Sequence, residues 1–378
     1  MSHLHNPFRY DYVGSFLRPE NLKQARRDFD EGKIDYAKLK EVEEQAITDL
    51  ITKVKSLGYH VITDGEFRRA TWHLDFMWGL DGVGHVKTKT GLPFHGEAAM
   101  IDDTYLVGKI GLSKEHPFVE HFRFVKQFED ENTVAKQTIP APAQVLAQFT
   151  MPFNREATEQ FYDSDEQLID DLVTAYKKVI DDLYAAGCRN VQLDDCTWGM
   201  LADKTAPLAY GTTVEGLQKI QQTYKDINNR VIANAPEGVA VTTHVCRGNF
   251  HSTYASSGAY DAVADALFAE ENAAGYYLEF DDERSGGFAP LAKVTGDKKV
   301  VLGLVTTKSS VLESKKAIIE RIHEAAKYVP LDRLYLSPQC GFASCEIGNK
   351  LTEEQQWAKL RLVKEIAEEV WDKDGHIG

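Results

Sequence analysis

The chain is short of positive charge, of cysteine and of long apolar runs, and each shortage removes a class of function. Its 43 Lys and Arg stand against 58 Asp and Glu, a net charge of −15. That balance disfavours a phosphate-binding surface and excludes nucleic acid as the expected partner. The five cysteines (Cys188, Cys196, Cys246, Cys340 and Cys345) are odd in number and scattered, without the spacing of a disulfide framework. No apolar run approaches the length of a membrane span, so no membrane partner is expected. The first residues, Met1 to Pro7, contain no basic segment followed by an apolar one. A cytoplasmic protein is the expectation. What is present is 378 residues with a hydrophobic fraction of 43%, enough for a substantial core.

Strand and helix patterns alternate along the chain. Arg9 to Phe16 reads as a short strand. From Tyr36 to Leu57 the residues Leu39, Val42, Ile47, Leu50, Ile51, Val54 and Leu57 keep helical spacing, and Gly58 stops the helix. Tyr59 to Glu66 follows as a second strand. Residues 68–132 break the rhythm and read as an insertion with short strands (Tyr105 to Ile110, Phe122 to Phe128), a possible lid. Thr133 to Ile139 is a third strand. A helix from about Asp165 to Ala186 has Ser164 and Gln167 at capping-box spacing. Asn190 to Asp195 is the fourth strand, and the fifth carries His244 and Cys246. A helix around 214–234 lies between them, and another is expected around 259–274. The sixth strand ends at Glu279 and the seventh starts at Lys299. A helix from about Ser310 to Tyr328 precedes the eighth, which carries Cys340. Thr352 to Trp371 closes the chain, with Thr352 and Gln355 at capping-box spacing. Eight strands alternating with helices predict a (β/α)8 TIM barrel with an insertion between strands 2 and 3, a single domain over 1–378. No Gly-rich phosphate loop follows the first strand, which argues against an open dinucleotide-binding sheet.

The residues at the strand ends carry the chemistry. On a strand, positions two apart share a face, so His244 and Cys246 present imidazole and thiol together. Such a pair alone more often packs in a core, but Glu279 and Cys340 end other strands and would complete a tetrahedral N/S/O set suited to Zn²⁺. Cys345 competes with Cys340 as second choice, while Cys188 and Cys196 read as packing residues. Zinc with two thiolates, a carboxylate and an imidazole has a formal charge of −1, poor for making hydroxide and good for holding a substrate thiol as thiolate. Alkyl transfer to a thiol is the implied chemistry. Glu66 and Asp194 end two further strands and suit a cationic amine, with helix capping or ion pairing as the plainer alternative. Asp195 would point the other way. The Gly14-Ser15 turn can offer N–H groups to a carboxylate. Lys308 ends the seventh strand.

At these residues the sequence resembles the cobalamin-independent methionine synthase family, in its C-terminal catalytic barrel. The matching pieces are Val13-Gly-Ser-Phe16, Asp64-Gly-Glu-Phe67, Val191-Gln-Leu-Asp194, Thr243-His-Val-Cys246, Glu279 and Ser337-Pro-Gln-Cys-Gly341, in family order. The resemblance implies zinc on His244, Cys246, Glu279 and Cys340, and homocysteine contacts at Ser15, Glu66 and Asp194. It implies methyl transfer to homocysteine to give methionine, from 5-methyltetrahydrofolate or a related carrier. The chain departs from the family in three ways. It has room for one barrel, not two. Lys308 stands where the family has a proton-donating histidine. Met200 replaces an expected glutamate, and the family's folate-contacting Trp has no match. Lys308 is expected to hold an anionic group of donor or substrate and to stabilise the departing charge, with a solvated lysine opening the next helix as the plainer alternative. The alternatives are alkyl transfer to another thiol, as in the coenzyme M branch, a zinc metallohydrolase, and a non-catalytic zinc or thiol binder. Oligomeric state is not legible.

Overall fold

The computed structural model describes residues 4–371. Six parallel strands form one continuous sheet, in the order Gln137–Pro140, Asn190–Asp195, Ala240–Val245, Gly275–Glu279, Lys299–Val305, Leu334–Pro338. These segments are buried along nearly their whole length, as strands covered by helices on one face and by their own barrel interior on the other must be. Val61–Ile62 pairs in parallel with Val134–Ala135, which runs directly into Gln137–Pro140, so the third stave is one strand interrupted at Lys136. The ring closes through the N-terminal segment. Tyr10 bridges Leu336 in parallel, with Asp11 N donating to Leu336 O at 2.9 Å. On its other side Phe16 N donates to Gly65 O at 3.1 Å, and Thr63 Oγ1 donates to Gly14 O at 2.8 Å. The expected first strand, Arg9 to Phe16, is thus an extended segment with a single bridge, and with the seven strands it completes the expected barrel in sequence order, every carboxyl end facing one rim.

Helices Tyr36–Ser56, Asp165–Ala185, Val214–Ala233, Lys315–Ala325 and Glu353–Val370 lie between staves, close to the expected spans. Thr352 and Gln355 form the capping box in both directions. Ser164 is an N-cap by position, but its side chain makes no cap hydrogen bond, so that expectation fails. The expected helix at 259–274 is also corrected. The chain there makes a 3₁₀ turn, Tyr260–Ala262, and a wide π turn, Asp265–Glu270. Ala266, Leu267 and Phe268 are buried in succession rather than on one stripe, and the Tyr276 hydroxyl takes the carbonyls of Leu267 (2.8 Å) and Glu271 (2.9 Å). The hydroxyl hydrogen bond to Leu267 O engages a carbonyl that a continuing helical ladder would use.

The insertion contains the antiparallel pair Asp81–Val86 with Asp103–Gly111 and a small hairpin, Leu92–Pro93 with Ala98–Ala99. Phe122 to Phe128, expected as a strand, is instead mostly the end of helix Pro117–Lys126. Pro117 opens that helix and Phe118, Val119, Phe122 and Val125 make its buried stripe, a 3.6-residue period that outweighs the local alternation. The hairpin tip reaches across the rim. Phe94 packs on Phe250 with ring centroids 5.2 Å apart, and Glu97 pairs with His251 and Lys350, both at 2.7 Å. No helix of the described residues is long and apolar enough to cross a membrane.

Candidate metal and thiol site

Strand register brings the site together. Asp194 lies opposite His244 on the neighbouring strand, and Tyr277, two residues before Glu279, lies opposite His244 on the other side. The ligand atoms of His244, Cys246, Glu279 and Cys340 all fall within 4.8 Å of one another, and all four side chains are buried. His244 Nδ1 is 3.1 Å from Tyr277 O, which fixes the ring, while Nε2 has no hydrogen-bond partner. A buried imidazole nitrogen left without a partner is costly unless something else takes its lone pair. The two thiols approach to 3.7 Å. An orphaned nitrogen, two converging sulfurs and a carboxylate fit a tetrahedral zinc ion. Cys345 lies outside the cluster, and burial pushes its thiol up to about 12.

Ser15, Glu66 and Asp194 line the same pocket, together with Val13, Trp72, Gly341 and Ser344. Glu66 holds a left-handed backbone, φ 62°, directly after Gly65 at φ 66°. Arg18 donates to the Glu66 carbonyl at 2.7 Å and the Asp64 carboxylate accepts the Glu66 N–H at 2.8 Å, so the strained turn is fixed from both sides. Glu66 Oε1 accepts from Thr138 Oγ1 at 3.2 Å and Oε2 has no partner. Gln192 Nε2 donates to Asp194 Oδ1 at 2.7 Å, and Lys136, buried in the barrel, donates to Gln192 Oε1 at 2.9 Å. Burial pushes Glu66 up to about 7, with Arg69 opposing and Asp194 adding to the rise. Burial likewise raises Asp194 to about 7, against the Gln192 hydrogen bond. Two carboxylates this poorly solvated are poised for a cation. Asp195 points out of the barrel, bonding to Thr197 and Asn228, as alternation requires.

Ser15 sits under the last loop: Ala343 N donates to its Oγ at 3.3 Å, and a Cβ on Gly341 would lie 1.9 Å from that oxygen. Only glycine admits this approach. Trp72 closes the pocket, stacked on His73 with centroids 4.4 Å apart. Beyond that stack, His73, Thr90 to Pro93, Ile101 to Thr104, Gln148, Phe153 and Asn154 line a separate cavity of 480 Å³.

Lys308 is not brought to the pocket wall. Its ammonium lies 2.5 Å from Asp281 Oδ2, so the cation expected at the mouth is engaged by a carboxylate. One contact to a candidate ligand is absent from the sequence-based expectations, and one expectation holds in an unexpected place. Arg284 bonds Glu279 Oε2 at 2.6 Å. Cys196, read as packing, does pack, but against Cys246, Cys340 and Trp72. The spacing of two from Asp194 is the available signal for Cys196, and the lone arginine after the acidic run Glu279 to Glu283 is that for Arg284.

A family model described as "Cobalamin-independent synthase, Catalytic domain" matches residues 10–369. The chain belongs to this family. It is similar to the Bacillus subtilis uncharacterized protein YxjG, 45% identical over 97% of this chain and 95% of that protein. The methionine synthase of Pyrococcus horikoshii is 25% identical over 87% of this chain and 84% of its own. Among solved structures, one from Listeria monocytogenes described as "Putative Vitamin-B12 Independent Methionine Synthase" superposes with a TM-score of 0.76. It is 38% identical, over 97% of this chain and 98% of that one.

Proposed function

We propose that this chain is a zinc-dependent methyltransferase that converts homocysteine to methionine, with 5-methyltetrahydrofolate or a related methyl carrier as donor. The observation that carries the reading is the convergence of His244, Cys246, Glu279 and Cys340 beside two buried, partly uncompensated carboxylates. A bound zinc ion would supply the charge that keeps the acceptor sulfur deprotonated and nucleophilic near neutral pH. The protein does the rest. Glu66 and Asp194 hold the acceptor's ammonium, and Ser15 with its turn receives the carboxylate, placing the sulfur toward Cys246 and Cys340. Trp72 shields the pocket from water. Overall, the thiol S–H and donor methyl bonds break, the S–CH₃ bond forms, and the proton leaves with the demethylated donor. The 480 Å³ cavity behind the Trp72–His73 stack is where the donor would approach.

The paired carboxylates also favour homocysteine over the coenzyme M-type alternative, whose sulfonate thiol carries no cation for Glu66 and Asp194 to meet. The deciding experiment incubates zinc-loaded protein with homocysteine and each candidate donor and follows methionine. Methionine formed with one donor and dependent on zinc is the expected result. Failure with all donors while another thiol is methylated would overturn the assignment.

A further inference from the structure

Glu279 has more partners than a metal ligand needs. Its Oε1 accepts the Arg247 backbone N–H at 3.1 Å, and its Oε2 accepts Arg284 Nη2 at 2.6 Å. Both side chains are buried, Glu279 at 0% and Arg284 at 5% exposure. The other three donors differ: His244 Nε2 is orphaned, and Cys246 and Cys340 face each other. Of the four, only the carboxylate is already held by a fixed cation.

Arg284 is itself held. Asp281 Oδ1 accepts from its Nη2 at 3.0 Å, Asp282 pairs with its Nη1, and the guanidinium lies 4.8 Å over the Tyr254 ring. The Asp282 carboxylate also accepts the Arg284 backbone N–H at 3.0 Å, which fixes the turn Glu283–Ser285. Asp281 in turn accepts Lys308 Nζ, itself only 11% exposed. Charges alternate along this line: Glu279, Arg284, Asp281, Lys308. A guanidinium is a rigid fork that can hold two carboxylates at once, which an ammonium does less well.

We propose that Arg284, braced by Asp281 and Lys308, is a positioning residue that keeps Glu279 only partly committed to the metal. The guanidinium draws on the same carboxylate lone pairs that zinc would use, and its charge offsets the net negative charge of the ligand set. Lys308 acts from outside, by holding Asp281 and so sharing out Arg284. This inference rests on the metal reading above.

The test is zinc affinity, measured on the full-length protein by competition with a chelator. Arg284→Met removes a positive charge beside the site and should tighten zinc about tenfold. Arg284→Lys, which keeps the charge but not the fork, should return toward the wild-type value. Lys308→Met should shift affinity in the same direction by less, and it keeps the question answerable if Arg284→Met does not fold. A purely structural prop predicts the opposite sign. Zinc bound equally or more weakly in Arg284→Met, or in Lys308→Met where the first variant does not fold, overturns the inference and leaves the metal site standing. A wild-type chain that holds no zinc overturns both.

Discussion

Glu66 and Asp194 are the residues on which acceptor choice turns. Each is buried, raised to about 7, and offers oxygen to a pocket that also holds the candidate ligands. Losing one charge-assisted hydrogen bond costs about 1.5–3 kcal/mol, roughly 10- to 150-fold in an equilibrium constant. Glu66→Gln and Asp194→Asn are therefore expected to raise the KM for homocysteine by at least about tenfold, with zinc retained. Unchanged KM in either variant, measured from initial rates of methionine formation, makes that residue structural. The cysteines separate as cleanly. Cys246→Ser and Cys340→Ser should lose most of their zinc by metal analysis, whereas Cys345→Ser, outside the cluster, should keep it.

The loop after the eighth stave shows how an element sets the site. Gly341 packs so close to Ser15 that a Cβ would come within 1.9 Å of its hydroxyl. Gly341→Ala must push the loop or the Ser15 turn aside, at about 1–3 kcal/mol. Thermal unfolding should show a lowered Tm together with weakened homocysteine binding; a wild-type Tm would mean the loop relaxes freely. The same scale explains what the sequence could reveal. Strand ends, period-two alternation and the match of the pieces around His244 and Cys340 to a known family were visible because they depend on neighbours in the chain. The helix Pro117–Lys126 was misread because Phe122-Arg-Phe124 alternates like a strand while Phe118, Val119, Phe122 and Val125 set the longer period. The broken helix near 265 is accompanied by hydrogen bonds from the Tyr276 hydroxyl on the following strand, a contact that helical periodicity does not register. Thr352 and Ser164 carried equal capping signals, and only the first forms its box. Arg284 meets Glu279 and Asp281 inside the one loop after the sixth stave, in a turn that only the folded chain defines, and the Asp281–Lys308 pair joins the loops of two staves, which no local pattern encodes.

For the whole molecule, the buried titratable groups set a pH profile. Burial raises Glu66 and Asp194 to about 7 and Glu271 to about 8, so the stability linked to them is full below the ordinary carboxylate range of ~4 and is lost as pH rises through 7 to 8. Burial lowers His73 and His121 to about 3 and His116 to about 4. Their contribution is full above the ordinary histidine value of ~6.5 and is lost as pH falls below it. The two sets oppose each other at acid pH, but above ~6.5 only the carboxylates still titrate. The Tm of the acceptor-free protein should therefore fall between about pH 6.5 and 8, and Glu66→Gln should flatten that fall. An equally steep fall in the variant would remove Glu66 from the account.

The central claim is that a His, Cys, Glu, Cys metal site takes up a substrate thiol, and zinc-edge X-ray absorption of the loaded protein tests it most directly. Without acceptor, zinc should have two sulfur neighbours, Cys246 and Cys340, with nitrogen and oxygen from His244 and Glu279. Addition of homocysteine should raise the sulfur count to three. A count that stays at two under saturating homocysteine, with methionine still formed, would contradict the account.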